Sequence, residues 1–419
     1  MLIQFSVKNF LSFRDRQTLS LMRAKGDELK TSNTFDAPGG ISLLRSAAMY
    51  GPNAGGKTNF LKALMTMQKT VLKSATESQS GDNLPVTPFR LSQASRKKPC
   101  EFEVIFIADR VRYQYGFAAT EDRIVEEWLL AFPKGRTQHW LLRRWNPADN
   151  KHEWQIGNSL TGAKQLWRNS TRDNALFLST AVQLNSEQLR PIYTWFRETL
   201  RMAGIGGWSP RFSASLCEKD GSMKSHIIDY LRAADVAVAD IDVERKQFDD
   251  VELPDDMSGQ KKEEINGQTF VRITTSRVDA EGGAVHFDFS DESHGTQKIF
   301  ALSGPWIDCL DKGYIVFIDE LNVSLHPYLT RFLVQLFNSS EYNPNNAQLI
   351  FTTHETSILT QDLFRRDQIW FCEKDNDHAS RMVPLTDFSP RKGRENLEQA
   401  YLSGRYGGVP YTTPLNKSN

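Results

Sequence analysis

The sequence predicts an α/β protein with a phosphate-binding loop, and three observations carry this prediction. Two continuous apolar runs late in the chain, GYIVFIDE (313–320) and AQLIFTTHE (347–355), have the composition of strands buried on both faces. Between them, PYLTRFLVQLF (327–337) has the apolar spacing of a helix, which is the alternation expected of a parallel sheet. Earlier, the strand-like SAAMY (46–50) leads directly into a glycine-rich segment and another helical pattern.

The composition is that of an ordinary water-soluble chain. Its 419 residues include 51 basic and 51 acidic side chains, so the formal net charge is zero. That balance gives no overall signal for nucleic acid, although a local basic patch stays open. The four cysteines are far apart, which indicates neither a zinc site nor a disulfide framework and favours a reducing, cytoplasmic location. No apolar run reaches the roughly 18 residues of a spanning helix, so we expect no membrane association.

The first third of the chain predicts strands around one long helix. LIQFSVKNF (2–10) alternates and, with the segment up to about residue 20, predicts a pair of short strands. Apolar residues after the glycine-rich segment recur at helical spacing, at Phe60, Leu61, Leu64, Met67 and Val71. From about 100 to 145, alternating aromatic-rich runs separated by polar turns predict an antiparallel meander.

Helical patterns dominate the next part of the chain, from about 160 to 240. A polar, acidic segment at 249–268 then predicts an exposed loop or hairpin tip. Together with the late apolar runs, these patterns predict three regions. Residues 1–150 form the N-terminal part of the α/β core, 151–280 a mainly helical insertion with the exposed loop, and 281–419 the C-terminal part of the core.

The segment GPNAGGKT matches in full the pattern GxxxxGK[ST] of a phosphate-binding loop. Its glycines allow successive backbone N–H groups to turn toward a phosphate, and the following helix adds its N-terminal partial charge. Lys57 can reach the β- and γ-phosphates, and the Thr58 hydroxyl can ligate Mg²⁺. The residues expected to bind ATP here are Gly51, Pro52, Asn53, Ala54, Gly55, Gly56, Lys57, Thr58 and Asn59.

Two acids end the apolar run YIVFI. Asp319 and Glu320 are therefore expected at the carboxyl end of a buried parallel strand, where ligands of such sheets bind. In that place Asp319 holds Mg²⁺, usually through water, and Glu320 orients and polarises the attacking water. Two solvated acids at a strand end are the alternative, and the phosphate loop in the same chain favours the catalytic interpretation.

His354 follows the run AQLIFTT and is expected at the same edge of the sheet. An imidazole there can contact the γ-phosphate or the attacking water. A lone histidine is more often structural, but its place after a buried strand and downstream of the two acids favours a catalytic role. The predicted catalytic set is Glu320, His354 and Lys57, with Thr58 and Asp319 as the metal ligands.

A polar stretch, ESHGTQK (292–298), lies between an apolar alternation and a helical pattern. On its own it is typical of a helix N-cap, because serine and aspartate before an amphipathic run commonly cap a helix. The alternative is a phosphate-binding element at the start of that helix. The stretch alone leaves both interpretations open.

The order of these motifs resembles the ATP-binding-cassette (ABC) ATPases, and more narrowly the soluble group that contains the SMC, RecF and OLD proteins. That group carries a signature near LSGGQ or LSGGE, about 20 to 30 residues ahead of the Asp-Glu strand. Ser293 and Gly295 match its serine and second glycine, whereas His294 and Thr296 depart from it. The resemblance covers roughly the first 130 and last 140 residues. It implies a P-loop NTPase of the ABC-ATPase head type, with a mixed core sheet, an antiparallel meander and an inserted helical subdomain.

The resemblance implies that the signature caps the γ-phosphate of ATP held by a partner subunit. The Ser293 hydroxyl, the Gly295 amide and the helix N-terminus would then face the nucleotide of another copy, which is anion binding at a helix start acting across an interface. Two ATP molecules would be sandwiched in a head-to-tail homodimer that closes with ATP and loosens after hydrolysis. The group also suggests Gln93 in PFRLSQ as the residue of its glutamine loop, and Phe13 and Arg14 in NFLSFRD as neighbours of the nucleotide.

The opening MLIQFSVKNFLSFRD and the closing LEQAYLSGRYGGVPY (397–411) also resemble stand-alone ABC-type ATPases of prokaryotic anti-phage and restriction-associated cassettes, the RloA-like and AriA-like proteins. Such ATPases are generally encoded beside a small partner, often a nuclease-like effector, which they control. A packed glycine-rich tail is an equally good interpretation of the closing segment.

These features favour an ATP-driven switch in a defence system, in which ATP-dependent closure holds or releases an effector. The sequence shows no Toprim-like acid cluster, HNH motif or nucleophile constellation of its own. The alternative is a DNA-repair or DNA-end-binding ATPase of the RecF type, with basic clusters at 95–98, 136–145 and 391–394 as phosphate contacts. Zero net charge favours solvated faces for these clusters. A purely structural nucleotide-binding scaffold is a third possibility, and a membrane transporter subunit fits poorly.

Overall fold

The structure is a computed structural model that describes residues 1–204, 207–247 and 269–410. The exposed loop predicted at 249–268 lies outside the described residues. The chain divides into two compact units. The first unit comprises Met1–Ile205, Leu310–Leu321 and Leu333–Asn419, and the second unit comprises Gly206–Cys309 and Asn322–Phe332.

Both units contain strands and helices. In the described residues the strands are β1 (Leu2–Lys8), β2 (Gln17–Ser20), β3 (Thr34–Ala37), β4 (Ile41–Leu44), β5 (Ser46–Tyr50), β6 (Cys100–Ala108), β7 (Val111–Ala119), β8 (Ile124–Phe132), β9 (Gln138–Asn146), β10 (Lys151–Ile156), β11 (Leu200–Ala203), β12 (Asp240–Gln247), β13 (Thr269–Val278), β14 (Ala284–Asp288), β15 (Ile315–Ile318), β16 (Gln348–Thr352), β17 (Ile369–Lys374) and β18 (Ser380–Pro384). The α-helices are α1 (Lys30–Asn33), α2 (Lys57–Lys73), α3 (Gln93–Arg96), α4 (Lys164–Ser170), α5 (Phe177–Gln183), α6 (Arg190–Thr194), α7 (Arg211–Lys219), α8 (Gly221–Ala233), α9 (His294–Lys312), α10 (Pro327–Phe337) and α11 (Leu397–Leu402).

A six-stranded sheet in the first unit carries the predicted site, in the order β11-β15-β16-β5-β17-β18. The first five strands run parallel and β18 closes the edge antiparallel. Every residue of β5, β15 and β16 is buried, as the continuous apolar runs predict. Because carboxyl ends of parallel strands share one edge, the phosphate loop after β5, the acids after β15 and the histidine after β16 reach the same edge.

A second sheet of the first unit is antiparallel, in the order β10-β9-β8-β7-β6-β1-β2. It confirms both the predicted meander and the predicted strand pair at the start of the chain. The predicted helix after the glycine-rich loop is α2, and its Phe60 contacts Phe5 of β1 edge to face, with ring centroids 5.2 Å apart. The apolar face of α2 therefore packs against this sheet in one core.

The second unit combines helices with a small sheet. Its strands β12, β13 and β14 form an antiparallel sheet in chain order, and α7 and α8 belong to the same unit. Ile227 and Leu231 of α8 are buried, as is Ile241 of β12. The region predicted as mainly helical, 151–280, therefore also contains β10, β11, β12 and β13.

The boundary predicted at residue 150 differs from the division of the chain near residue 205. Strand β10 pairs with β9 along its whole length, from Lys151 opposite Asn146 to Ile156 opposite Leu141. Helices α4 and α5 and the turn after α6 bury Trp167, Phe177 and Trp195 in the core of the first unit. The sequence does change near residue 150 from alternating, strand-like patterns to helical patterns, but the apolar faces of these helices still pack on the N-terminal sheet.

Candidate functional site

The phosphate loop leaves β5 at Gly51 and enters α2 at Lys57. Gly51 (φ 146°) and Gly56 (φ 115°) have left-handed backbones that favour glycine. A Cβ atom at Gly51 would also overlap the backbone carbonyl of Cys372, and one at Gly56 would overlap the Ser380 side chain. The two glycines are therefore required because the loop packs directly on β17 and the start of β18.

Lys57 lies inside the loop and is only 6% exposed. Its Nζ donates hydrogen bonds to the carbonyl oxygens of Gly51 at 2.7 Å and Pro52 at 3.2 Å. Burial lowers the pKa of Lys57, whereas the nearby Asp319 and Glu320 act to raise it. The loop carbonyls thus hold the Lys57 amine inside the loop, near the two acids. A lysine that binds a phosphate in such a loop is expected in this position.

The remaining loop residues present a more open face. Asn53 and Ala54 are exposed, and Thr58 and Asn59 are half-buried. The Asn59 amide donates to the Ser12 hydroxyl at 2.9 Å, so the first turn of α2 is tied to the loop after β1.

Asp319 is 2% exposed and directly follows β15. The Thr352 hydroxyl, at the end of β16, donates to Asp319 Oδ1 at 2.6 Å. The same hydroxyl accepts the backbone N–H of Glu320 at 2.7 Å. One side chain on the neighbouring strand therefore orients both acids, as residues around a metal site commonly do.

Glu320 and His354 face each other beside this pair of strands. Glu320 has a left-handed backbone (φ 52°), which ends β15 and is an uncommon state for glutamate. Its Oε1 lies 4.0 Å from His354 Nε2, and both side chains are about one third exposed. Burial and the nearby Lys57 lower the pKa of His354, while Glu320 and Asp319 oppose that shift. Burial and the charge of Lys57 therefore favour the neutral imidazole.

The donors at this edge fit Mg²⁺. The Thr58 hydroxyl and the Asp319 carboxylate are hard oxygen ligands, which Mg²⁺ prefers, and it usually keeps waters and substrate phosphate oxygens for its other positions. Across the described residues, no cluster of three or more His, Cys, Asp or Glu side chains forms a complete protein cage for a metal.

The signature residues lie in the second unit, at the start of α9. The Ser293 hydroxyl accepts the Thr296 backbone N–H at 3.1 Å and its carbonyl accepts that of Gln297 at 2.9 Å, so Ser293 is a helix N-cap. Ser293 and His294 are exposed. A Cβ atom at Gly295 would come no closer than 3.4 Å to another atom, the Ser324 carbonyl oxygen, which is close to ordinary contact. The packing around Gly295 within this chain therefore does not demand glycine.

The other residues predicted near the nucleotide have different surroundings. Phe13 is fully buried against Phe60, with ring centroids 6.0 Å apart. Arg14 pairs with Asp375 at 3.1 Å and Asp377 at 2.5 Å in the turn between β17 and β18. Gln93 is exposed in the first turn of α3. Phe13 thus supports the helix of the phosphate loop from the core.

Three contacts that support the site are not predicted from the sequence. Thr352 is part of FTTHE, but its role depends on the register between β15 and β16. Cys372 acts through its backbone carbonyl, so its side chain gives no signal. Ser12 and Ser380 hydrogen-bond each other at 2.8 Å across 368 residues of sequence, a pairing that no local pattern predicts.

Solved structures match the chain over most of its length at low identity. The SMC head domain from Thermotoga maritima shares 12% identity, covering 91% of this chain and 98% of that chain at a TM-score of 0.40. The recombination mediator protein RecF with ATP shares 11%, covering 91% and 99% at a TM-score of 0.37. CbiO1 from Clostridium perfringens, part of the ABC transporter complex CbiONQ, shares 8%, covering 97% and 98% at a TM-score of 0.33. Similarities this remote do not indicate the function of this chain.

The strand order and the loop-to-helix connection agree with the predicted fold class, a P-loop NTPase of the ABC-ATPase head type. No curated protein matches the sequence. Within the part of the chain that the structure describes, no helix combines the length and apolar character needed to cross a membrane.

A family model matches residues 46–360, from the first residue of β5 to just beyond the segment that carries His354. The match includes Lys57, Asp319, Glu320 and Ser293 and spans well over half of the chain. The description of the family is "AAA domain, putative AbiEii toxin, Type IV TA system". The chain therefore belongs to this AAA-domain family.

Proposed function

We propose that the chain is an Mg²⁺-dependent ATPase that dimerises head to tail around ATP and controls a separately encoded effector in a cytoplasmic anti-phage system of prokaryotes. The observation that carries the ATPase is the single sheet edge that brings together Lys57 after β5, Asp319 and Glu320 after β15, and His354 after β16, with Glu320 and His354 4.0 Å apart. A phosphate-binding lysine, a metal-binding acid and a second acid in reach of a histidine form the set that phosphoryl transfer to water requires.

Each residue has a defined task in this proposal. The loop N–H groups and the Lys57 amine bind the β- and γ-phosphates of ATP. Thr58 and Asp319 hold Mg²⁺, which neutralises charge on the phosphates when bound. The Glu320 carboxylate orients the attacking water and accepts its proton. The neutral His354 donates a hydrogen bond toward the γ-phosphate and, at 4.0 Å from Glu320, limits the positions open to that carboxylate.

The signature supports dimerisation through ATP. Ser293 is exposed at the N-terminus of a 19-residue helix, where backbone N–H groups and the helix dipole favour an anion. Gly295 lies in the first turn, where alanine would fit and would favour the helix. A bare backbone at this position is explained if a phosphate on a second copy approaches closely.

The control of an effector rests on two further observations. The catalytic residues at the sheet edge are those needed to bind and hydrolyse a nucleotide. The sequence shows no nuclease motif in addition to them, so a nuclease activity would come from a partner. The family description names a toxin and a TA system, which supports a role within a system rather than alone. A nuclease-like partner is the effector that the resemblance of the sequence suggests.

DNA repair of the RecF type is the weaker candidate, because the net charge is zero and two of the three basic clusters contain buried or paired cations, although the cations of the cluster at 95–98 are exposed. Arg143 is fully buried, Arg144 pairs with Glu126 at 2.9 Å, and Lys392 pairs with Glu28 at 3.2 Å. Paired and buried cations contribute little to phosphate binding. DNA affinity that falls steeply with salt would favour this alternative.

The test of the ATPase is turnover by purified protein. Wild type is expected to release phosphate from ATP with Mg²⁺, and Lys57→Ala and Glu320→Gln are expected to lose at least about a hundredfold. Glu341→Gln, at an exposed glutamate outside the site, is the control and should match wild type. Turnover that survives both site substitutions would show that a contaminant or another site hydrolyses ATP.

A further inference from the structure

We propose that the C-terminal segment Leu397–Gly408 is a brace of the nucleotide site. It joins the loop that carries His354 to the first residue of the phosphate loop, and Glu398 and Thr356 are positioning residues for turnover. This inference rests on the proposed ATPase. The contacts of this glycine-rich segment give it a specific place in the fold.

The first attachment is a hydrogen bond to the loop after β16. The Thr356 hydroxyl donates to Glu398 Oε1 at 2.7 Å, and Thr356 is only two residues beyond His354. Glu398 is in the first turn of α11, whose N-cap Asn396 accepts the Gln399 backbone N–H at 2.9 Å. The cap fixes the start of α11 and with it Glu398. The hydrogen bond from Thr356 to Glu398 then holds the loop that carries His354.

The second attachment is to the phosphate loop. The buried Tyr401 ring stacks on Phe371 of β17 at a centroid distance of 5.2 Å and meets Tyr50 edge to face at 5.9 Å. Tyr50 is the residue directly before Gly51. The Tyr401 hydroxyl donates to the Gly408 carbonyl oxygen at 2.9 Å, which folds the end of the segment back toward the loop.

Gly408 lies beside the first residue of the phosphate loop, where an added side-chain carbon would make ordinary van der Waals contacts. A Cβ atom at Gly408 would lie 3.7 Å from the Gly51 Cα and 3.5 Å from the Cys372 carbonyl oxygen. Gly407 and Gly408 both have left-handed backbones, with φ 66° each, so the chain turns here over the end of β5. One short segment therefore lies against both the loop that carries His354 and the start of the loop that carries Lys57.

Because the Glu398–Thr356 hydrogen bond is only partly buried, breaking it can shift the loop that carries His354 without much change in the global stability of the protein. Both side chains are only partly buried, whereas Tyr401 is in the core. A partly exposed hydrogen bond contributes little to global stability. Displacement of a catalytic group by a fraction of an ångström, in contrast, changes turnover strongly.

The experiment compares Thr356→Val, Glu398→Ala and Glu398→Gln with Gln399→Ala, an exposed neighbour on α11 that serves as control. Thr356→Val and Glu398→Ala are expected to lower kcat about tenfold with an unchanged KM for ATP. The double variant should fall no further than either single one. Glu398→Gln keeps an acceptor oxygen for Thr356 and should restore most of the turnover, and all four proteins should keep the wild-type melting temperature.

Amide exchange of residues 353–357 gives a second measurement that does not depend on turnover. Faster exchange in Glu398→Ala, but not in Glu398→Gln or Gln399→Ala, supports the brace. Wild-type kcat and unchanged exchange in Glu398→Ala would overturn it while the ATPase stands. If the wild-type protein itself lacks Lys57-dependent turnover, the proposed function fails, and the exchange data alone then decide whether the brace exists.

Discussion

At the residue scale, the Thr352 hydroxyl connects the two acids of the candidate site. It donates to Asp319 Oδ1 and accepts the backbone N–H of Glu320. Valine has the same shape but neither bond, and it would leave the buried Asp319 with one donor fewer. A buried carboxylate that loses a donor binds its metal less well or moves toward another partner.

We therefore expect Thr352→Val to reduce ATP turnover about tenfold or more and to raise the Mg²⁺ concentration needed for half-maximal activity. Thr352→Ser keeps the hydroxyl and is expected to stay within about twofold of wild type. Titration of Mg²⁺ at saturating ATP measures both effects. Equal activity of Thr352→Val and wild type would show that Asp319 needs no help from β16.

Gly295 gives a second prediction at this scale, because alanine fits its surroundings. The nearest atom to an added Cβ is the Ser324 carbonyl oxygen at 3.4 Å. Replacing glycine by alanine in a helix contributes up to about 1 kcal/mol of stability. Gly295→Ala is thus expected to fold at least as stably as wild type but to lose ATP-dependent dimerisation.

Thermal unfolding and light scattering with ATP and Mg²⁺ measure the two parts separately for Gly295→Ala. A variant at the exposed His294, such as His294→Gly, should keep ATP-dependent dimerisation, since it restores the usual signature glycine, and should unfold at a slightly lower temperature because glycine disfavours the helix. Normal dimerisation by Gly295→Ala would remove the main reason for assigning the signature to a partner's phosphate.

At the scale of elements, most strands and helices could be predicted from the sequence, because each depends on the local periodicity of apolar residues. The runs around β15 and β16 are apolar throughout, and strands covered on both faces need that composition. The meander was equally clear from its alternation. What sequence could not give was the association of elements: α4 to α6 look like an insertion, yet Trp167, Phe177 and Trp195 join the N-terminal core. Contacts such as Ser12–Ser380 depend on how the loop after β1 meets the distant strand β18, and they carry no local signal.

A buried polar cluster between β9 and β10 gives a prediction about pH. The Arg143 guanidinium lies 2.8 Å from His152 Nε2, and Asp173 Oδ1 lies 3.3 Å from the same atom, with Arg123 also near. Burial, then the positive charge of Arg143, lowers the pKa of His152 to about 4, against 6.5 for an ordinary histidine. Since the unfolded chain binds this proton more readily, the stability from the neutral ring is complete above pH 6.5 and is lost as the pH falls toward 4.

Wild type is therefore expected to lose up to about 2 kcal/mol more than His152→Asn between pH 7.5 and pH 5, because the variant lacks this titration. Denaturant unfolding at both pH values measures the difference. The same loss in both proteins would show that His152 is not held neutral. His139→Asn, at another histidine in the same sheet, is the control and should behave like wild type.

At the scale of the whole molecule, the predicted nucleotide contacts divide between the two units. Lys57, Asp319, Glu320 and His354 belong to the first unit, whereas Ser293 and Gly295 belong to the second. In the proposed dimer, the first unit of one copy holds ATP and the second unit of the other copy caps it. Binding of ATP then changes the association state of the protein, and an effector can respond to that change.

The most direct test is the molar mass of Glu320→Gln measured by light scattering with and without ATP and Mg²⁺. Removing the acid that orients water stops hydrolysis but leaves the phosphate loop and the signature intact, so bound ATP should persist. We predict a monomer without nucleotide and twice that mass with ATP, and a monomer under both conditions when Lys57→Ala is added. A Glu320→Gln protein that binds ATP and remains monomeric would contradict the proposal that two copies close around the nucleotide.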